Sequence, residues 1–313
     1  VAIGAISDLA EPEAIAYLTK FDTLLGRFPE PLAARDGHLE VRGKKIPLLT
    51  GKAQTGVPDW KGLGVDVVFE ATNVGRTRAE AERHLAAGAG RVLLMAPPRE
   101  RPDATIVMGV NDDKLASSHR IVSNASSTVH CLTPILSILD ESFGIARAIF
   151  TTVHSYTSAH RLADVPAEDK RRGRAAAENI IPQESRSPAI VRELIPDLAK
   201  RLTGYAMNVP VVNGSVVDLV CWHEREVTPA AINAALEAAA ASARWRRILS
   251  YEREPIVSSD VARSPWSAVF DSLATMTLGP KLSKTLSWFD SSFGHAHRGV
   301  ELLEKMAAIG VRA

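Results

Sequence analysis

The chain has 313 residues, 46% hydrophobic and 23% charged, with 37 Lys and Arg against 36 Asp and Glu, for a formal net charge of +1. Such a length and composition predict about two domains with a full-sized core, and the charge balance excludes a global basic field for holding nucleic acid. No apolar stretch approaches the ~18–20 residues of a membrane helix, so no membrane partner is expected.

Only Cys131 and Cys221 are present, too few for a disulfide framework and consistent with a reducing, cytoplasmic location. There is no signal-peptide pattern. The chain begins at Val1, which suggests that something upstream was removed or left out. The densest basic run, Lys170-Arg171-Arg172-Gly173-Arg174, reads either as a solvated loop or as an anion or subunit contact.

Val1 to Ile6 is an apolar run, followed by a helix-like segment from Pro12 to Phe21 in which Ile15, Leu18 and Phe21 repeat at helical spacing. Short apolar runs follow at Val65–Phe69, Arg91–Met95, Thr105–Met108 and Ile121–Val122, with a helical stretch from Ala79 to Ala87. They predict a parallel sheet buried on both faces. Ser126 to Ser137 reads as helical despite Pro134. Strands are predicted at Ala148–Val153, Ala206–Val212, Gly214–Val220 and Leu286–Phe289, and an alanine-rich helix at Ala230–Ala243. The long connections among these later strands favour an α+β domain. Val300, Leu303 and Met306 are expected to form the packed face of a last helix.

The segment Ser123-Asn124-Ala125-Ser126-Ser127-Thr128-Val129-His130-Cys131 resembles the active-site signature S-N-A-S-C-T-T-N-C of the glyceraldehyde-3-phosphate dehydrogenase family. Further matches come in order at Thr151-Thr152-Val153-His154-Ser155-Tyr156-Thr157, Asn179-Ile180-Ile181-Pro182 and Gly214-Ser215-Val216-Val217-Asp218-Leu219. Val257-Ser258-Ser259-Asp260 and Ser287-Trp288-Phe289-Asp290 complete the series. The resemblance covers nearly the whole chain. It implies a Rossmann-type dinucleotide-binding domain over 1–125, completed by a C-terminal helix over 293–313, and a catalytic domain with a mixed sheet over 126–292. It also implies a homotetramer, and chemistry in which a cysteine thiolate attacks an aldehyde, hydride passes to NAD and phosphate releases the acyl group.

Several positions depart from that pattern. Ser127 stands at the nucleophile, and no helix dipole turns an alcohol into an alkoxide, since the dipole supplies at most ~2 kcal/mol. Ser127 therefore needs a general base, and His154 stands where the family keeps its catalytic histidine. The alternative is a cysteine lost or engineered to serine. The substrate-phosphate arginine becomes Asn208, and the phosphate-binding T-G becomes Ser185-Arg186, a pattern that fits either a re-shaped anion site or a solvated arginine. Ser126, Thr128 and Thr157 retain anion-contacting positions.

On the cofactor side the resemblance implies NAD or NADP, held by Asp8 at the ribose and by Thr72, Ser123, Asn124 and Ser291. The family's first glycine-rich unit is missing, either as a deletion or as roughly 30 unlisted residues, about one βαβ unit. Asn73 replaces a glycine, Ser291 replaces the nicotinamide-binding asparagine, and no R-x-P adenine clamp precedes Trp60. Asp8 has helix capping as its other reading. His130, where the family has asparagine, is either a second titratable group or a buried, satisfied histidine. No metal is expected.

The expected function is an enzyme acting on a small anionic carbonyl metabolite, an NAD(P)-linked oxidoreductase by resemblance but without the cysteine thioester. The competing readings are a cofactor-free enzyme using Ser127 and His154, an active-site Cys-to-Ser variant, and a non-catalytic family member.

Overall fold

The computed structural model describes residues 1–50, 56–72 and 74–310; Asn73 lies outside the described residues. Two compact units emerge. One comprises Val1–Ile106, Lys114–Asn124 and Gly299–Ala313, the other Val107–Asp113 and Ala125–Arg298.

The first unit holds two four-stranded sheets. In one, β1 (Ile6–Ser7) pairs parallel with β6 (Lys44–Leu49), and β6 continues antiparallel to β5 (His38–Val41) and β4 (Leu32–Arg35). Residues 1–4 of the opening apolar run are exposed and outside any strand. The two tight turns of this meander were not anticipated. Asp36-Gly37 and Arg42-Gly43 each have both φ values positive, between 48° and 73°. Two successive left-handed residues match the twist of a hairpin. Between β1 and the meander lie helix α1 (Pro12–Lys20) and the short pair β2 (Phe21–Asp22) and β3 (Gly26–Arg27). Ala16 packs with Leu39, Ile46 and Leu48 in a small core.

The other sheet has the order β7-β8-β10-β9, with β7 at Val67–Glu70, β8 at Arg91–Leu94, β9 at Ala104–Thr105 and β10 at Ile121–Ser123. All three pairings are parallel, as the continuous apolar runs predict. Helix α2 (Arg78–Ala86) begins with a capping box in which Thr77 accepts from the Glu80 amide and Glu80 accepts from the Thr77 amide.

In the second unit one seven-stranded mixed sheet has the order β12-β13-β11-β14-β17-β16-β15. The strands are β11 (Ile145–Ser155), β12 (Ile181–Gln183), β13 (Leu202–Val209), β14 (Ser215–His223), β15 (Leu249–Glu252), β16 (Ala268–Leu278) and β17 (Leu282–Phe289). β11 with β13 and β15 with β16 are parallel, and the other neighbours are antiparallel. Helix α3 (Ser127–Phe143) is longer than expected and keeps Pro134 inside it. It shares the buried core with α5 (Pro229–Ala241) and the shorter α4 (Ser187–Leu194), through Leu132, Ile135, Leu136, Ile232 and Val191.

The last helix, α6 (Phe293–Ala308), buries only part of the expected face: Met306 is inside and Leu303 partly so, but Val300 is not. Val300 is exposed, whereas Leu302 and Met306 are fully buried, one helical turn apart. Asp290 secures its start: Oδ1 accepts from the Ser292 and Phe293 amides, and Oδ2 accepts from Asn213 Nδ2 and the Arg263 amide. Asp290→Ala leaves the buried Asn213 amide and three partly buried backbone donors unmet and is expected to cost about 2 kcal/mol or more in urea unfolding. A loss below about 0.5 kcal/mol would remove Asp290 from this role.

Candidate active site

The residues singled out by sequence fall into two groups, one in each unit. In the second unit the chain reaches helix α3 through Ala125, a fully buried non-glycine residue at φ 53°. Such left-handed geometry costs of order 1 kcal/mol and is held only where the surroundings enforce it. It turns the chain so that Ser126 caps α3, accepting from the Val129 amide at 3.3 Å, and Ser127 becomes its first residue. The first-turn amides of a helix have no partner within it, so this terminus favours negative charge. Ser127 is half-buried and Thr128 buried.

His154 lies near the carboxyl end of β11, directly opposite Asn208 of β13 in the parallel register. Its Nδ1 donates to the Ser155 carbonyl at 2.6 Å, which leaves Nε2 as the unprotonated, basic nitrogen. The ring packs edge-on against Phe289 at 5.9 Å. Burial is the main cause that holds the imidazole below its ordinary pKa; the Ser155 bond acts the other way, and neighbouring His160 reinforces the lowering. His154 is thus neutral at pH 7. Among the described residues no hydrogen bond joins Ser127 to His154, so the expected dyad is not closed in this conformation. Such bonds often tighten only when substrate binds.

His154 also sets a pH dependence. The folded protein declines a proton that the unfolded chain accepts, so stability is unaffected above the ordinary histidine value near 6.5 and falls as pH drops below it. His160 and His223 are depressed in the same direction. His154→Asn is expected to flatten the fall in unfolding free energy between about pH 6.5 and 5, and an unchanged slope would remove His154 from the titration.

Asn208 is buried, and its Oδ1 accepts from Gln183 Nε2 at 2.9 Å. Its side-chain amide also meets Nε2 of His160, a residue that the sequence reading passed over. Thr157, exposed, gives both its amide and its hydroxyl to His160 Nδ1, at 3.1 and 3.2 Å. The Ser185 hydroxyl accepts from the Ser187 amide at the start of α4, and Arg186 is exposed beside it. Ser291 is tied to Ser155, Oγ to Oγ at 3.3 Å, and Ser155 in turn to Ser215 at 3.2 Å. His130 is buried, with its ring 5.6 Å edge-on from His295. Cys131 and Cys221 are buried free thiols, both pushed up by desolvation. In the basic run, Arg174 pairs with Asp164 at 2.7 Å.

In the first unit, Asp8, Thr72, Ser123 and Asn124 follow or end strands β1, β7 and β10 at their carboxyl ends, where α/β sheets receive dinucleotides. Asp8 is exposed and accepts from the Ala10 amide at 2.8 Å. It does not cap α1, whose N-cap is Glu11 without a side-chain bond. Ser123 and Asn124 are fully buried. Thr72 donates its amide and hydroxyl to Glu70 Oε1, at 2.7 and 2.5 Å. Glu70 Oε2 lies 3.4 Å from His84 Nε2, and Trp60 Nε1 donates to His84 Nδ1 at 3.0 Å. Burial alone would raise the Glu70 pKa, but the bonds from His84 and Thr72 prevail and hold it low.

One unit thus carries a strained turn feeding a helix N-terminus and a histidine locked as a base at a strand end, and the other carries polar residues at parallel-strand termini, in a two-unit α/β chain. Residues 1–78 match the family model described as glyceraldehyde 3-phosphate dehydrogenase, NAD binding domain, and residues 105–291 match the C-terminal domain of the same family. The chain is 43% identical over 303 residues to glyceraldehyde-3-phosphate dehydrogenase of Streptomyces coelicolor, covering 96% of this chain and 90% of that protein. It is 42% identical over 312 residues to the enzyme of the same name from Geobacillus stearothermophilus, covering 99% and 92%. The chain belongs to the glyceraldehyde-3-phosphate dehydrogenase family of oxidoreductases, with NAD(P) as the cofactor of its first domain.

The fit to that cofactor is uneven. The Asp8 carboxylate is exposed at a strand end and suits ribose hydroxyls. The Thr72 and Ser291 side chains are engaged with Glu70 and Ser155. The glycine-rich turn that lets backbone amides approach a pyrophosphate is not in this sequence.

Proposed function

We propose that this chain is an NAD(P)-linked oxidoreductase acting on a small anionic carbonyl metabolite without a cysteine thioester, and that ordinary phosphorylating dehydrogenase activity is absent. The observation that carries this reading is Ser127 at the mouth of α3 together with a His154 whose Nδ1 is fixed and whose Nε2 is basic. When bound, NAD(P) supplies the hydride acceptor or donor. His154 Nε2 accepts or returns the proton on the substrate oxygen. The Ser127 hydroxyl and the first-turn amides of α3 hold that oxygen as charge develops on it. Ser126, Thr128, Ser185 and Arg186 supply the anion contacts. Asp8, Thr72, Ser123, Asn124 and Ser291 form the cofactor side.

The enzyme is further proposed to be cytoplasmic and to work as a homotetramer. Supporting the assembly, the side of the seven-stranded sheet opposite His154 and Asn208 carries Ile149, Tyr205 and Trp222, each more than 40% exposed. Apolar side chains exposed to this extent are suited to burial between copies.

Calorimetric titration with NAD and NADP in both redox states tests the reading. Micromolar binding, followed by absorbance change with anionic aldehydes or alcohols, is the expected result. His154→Asn should then cut turnover by about 10²–10⁴-fold with cofactor affinity intact. No binding at millimolar cofactor would leave a cofactor-free Ser127–His154 enzyme or a non-catalytic family member.

A further inference from the structure

Three polar groups of the second unit converge on a single imidazole. The Thr157 amide and hydroxyl address Nδ1 of His160, and the Asn208 amide group meets Nε2. Asn208 is buried and held from its other side by Gln183. It stands directly across from His154 on the neighbouring strand, so this corner adjoins the proposed base. A phosphate needs several donors turned toward it, and favours a guanidinium. Here the Thr157 donors are spent on His160, the Asn208 amide lies against the other edge of the ring, and the residue opposite His154 is a neutral amide. Nor does the imidazole supply the missing charge. Burial foremost, and also the nearby Arg172, disfavour its protonated form, although the Thr157 backbone acts the other way.

We propose that His160 is a specificity residue whose imidazole fills the corner between Thr157 and Asn208, so that this end of the site takes an uncharged, hydroxyl-bearing part of the substrate and not a phosphate. With its proton turned to His160, the Thr157 oxygen still accepts, so it can take a hydroxyl's proton, whereas a phosphate brings none to it. The substrate then carries its one anionic group toward Ser126, Thr128, Ser185 and Arg186. For the identity of the substrate this refinement rests on the proposed oxidoreductase reading; for the anion affinity of the corner it does not.

The test is calorimetric titration with inorganic phosphate at pH 8, comparing the full-length chain with His160→Ala. The variant is expected to bind phosphate at least about tenfold more tightly, because the Thr157 amide and hydroxyl are released to it and the space beside Asn208 is opened. Adding Thr157→Val to that variant should cancel the gain, which locates it. Thermal melting checks that the variants fold, and His160→Ser, which leaves a smaller void, carries the same expectation should the alanine variant melt early. Equal phosphate affinity in the native chain and both His160 variants would overturn the proposal, as would a gain that survives Thr157→Val.

A second readout compares two aldehydes differing only in a terminal phosphate. The native chain should favour the hydroxyl form in kcat/KM, and His160→Ala should shift the preference toward phosphate by about tenfold, mainly through KM. A native preference for the phosphate form would overturn the proposal. Turnover of neither aldehyde, with the phosphate titrations as expected, would sink the oxidoreductase reading and leave the closed corner standing.

Discussion

In Ser127→Cys the introduced thiol is expected to react with iodoacetamide at pH 7 at least about ten times faster than an ordinary exposed cysteine. The two native thiols should stay inert. Position 127 is the first residue of α3, where unpaired amides favour an anion, and the helix contributes up to ~2 kcal/mol, or between one and two pKa units. That brings a thiol from about 8.5 to near 7 before any histidine acts. His154, neutral with Nε2 open, then takes the thiol proton and lowers the apparent value further. Adding His154→Asn should slow the alkylation by about tenfold at pH 7 and move its midpoint upward. Cys131 and Cys221 provide the internal contrast, since both are buried and their thiols are pushed up by desolvation. An introduced thiol no more reactive than a free cysteine, and indifferent to His154, would show that the two positions do not cooperate. The native Ser127 would then be no more than a helix-terminal hydroxyl.

Arg91→Met is expected to destabilise the protein by about 3–5 kcal/mol, the largest effect of any single substitution considered. Arg91 is only 2% exposed. Its guanidinium donates to the Met306 carbonyl at 2.8 Å, the Gly310 carbonyl at 2.6 Å and the Ser117 carbonyl at 3.1 Å. Two of these acceptors sit at the end of α6, where carbonyls lack helical partners and favour a cation. Desolvation lowers the Arg91 pKa, yet guanidinium remains charged at any pH the protein meets. Replacement by methionine preserves most of the volume, so the loss reads the three charged hydrogen bonds and the abandoned carbonyls. Arg91→Lys, with one charge but no fork, should fall between. Urea unfolding of the full chain measures both, and a loss below about 1 kcal/mol for Arg91→Met would mean that the end of α6 is held by its apolar face alone.

Most of the sheet architecture was legible because parallel strands buried on both faces announce themselves as unbroken apolar runs. Those at β7, β8 and β10 fall within two residues of the expected limits. The meander of β4 to β6 was missed although Asp36-Gly37 is a strong hairpin signal. Its strands are short and partly exposed, so their alternation is weak. The long β16 escaped for a related reason: a register irregularity between Asp271 and Met276 breaks its period. The inward face of α6 was misread because Arg298 and Gly299 occupy buried positions that a hydrophobic pattern does not count.

Motif spacing singled out Ser127, His154, Thr157 and Asn208 as candidates, and the structure brings the last three together with His160. What spacing could not give was the direction of the Thr157 and Asn208 side chains. His160 looked like one more loop residue in Thr157-Ser158-Ala159-His160, and only the fold reveals that its ring is where their hydrogen bonds end. The only available signal was chemical: a ring capable of accepting bonds, three residues after a threonine.

The bond from Arg91 to Met306 spans 215 residues of chain. The first unit is therefore finished only after the second has been made, since its share of α6 follows Arg298. The second unit, from Ala125 to Arg298, has all its strands before then. A growing chain thus carries a buried-cation position that lacks two of its three acceptors until α6 has been made. A chain terminated at Arg298 would have the second unit made and the first left open, a product suited to capture by quality control.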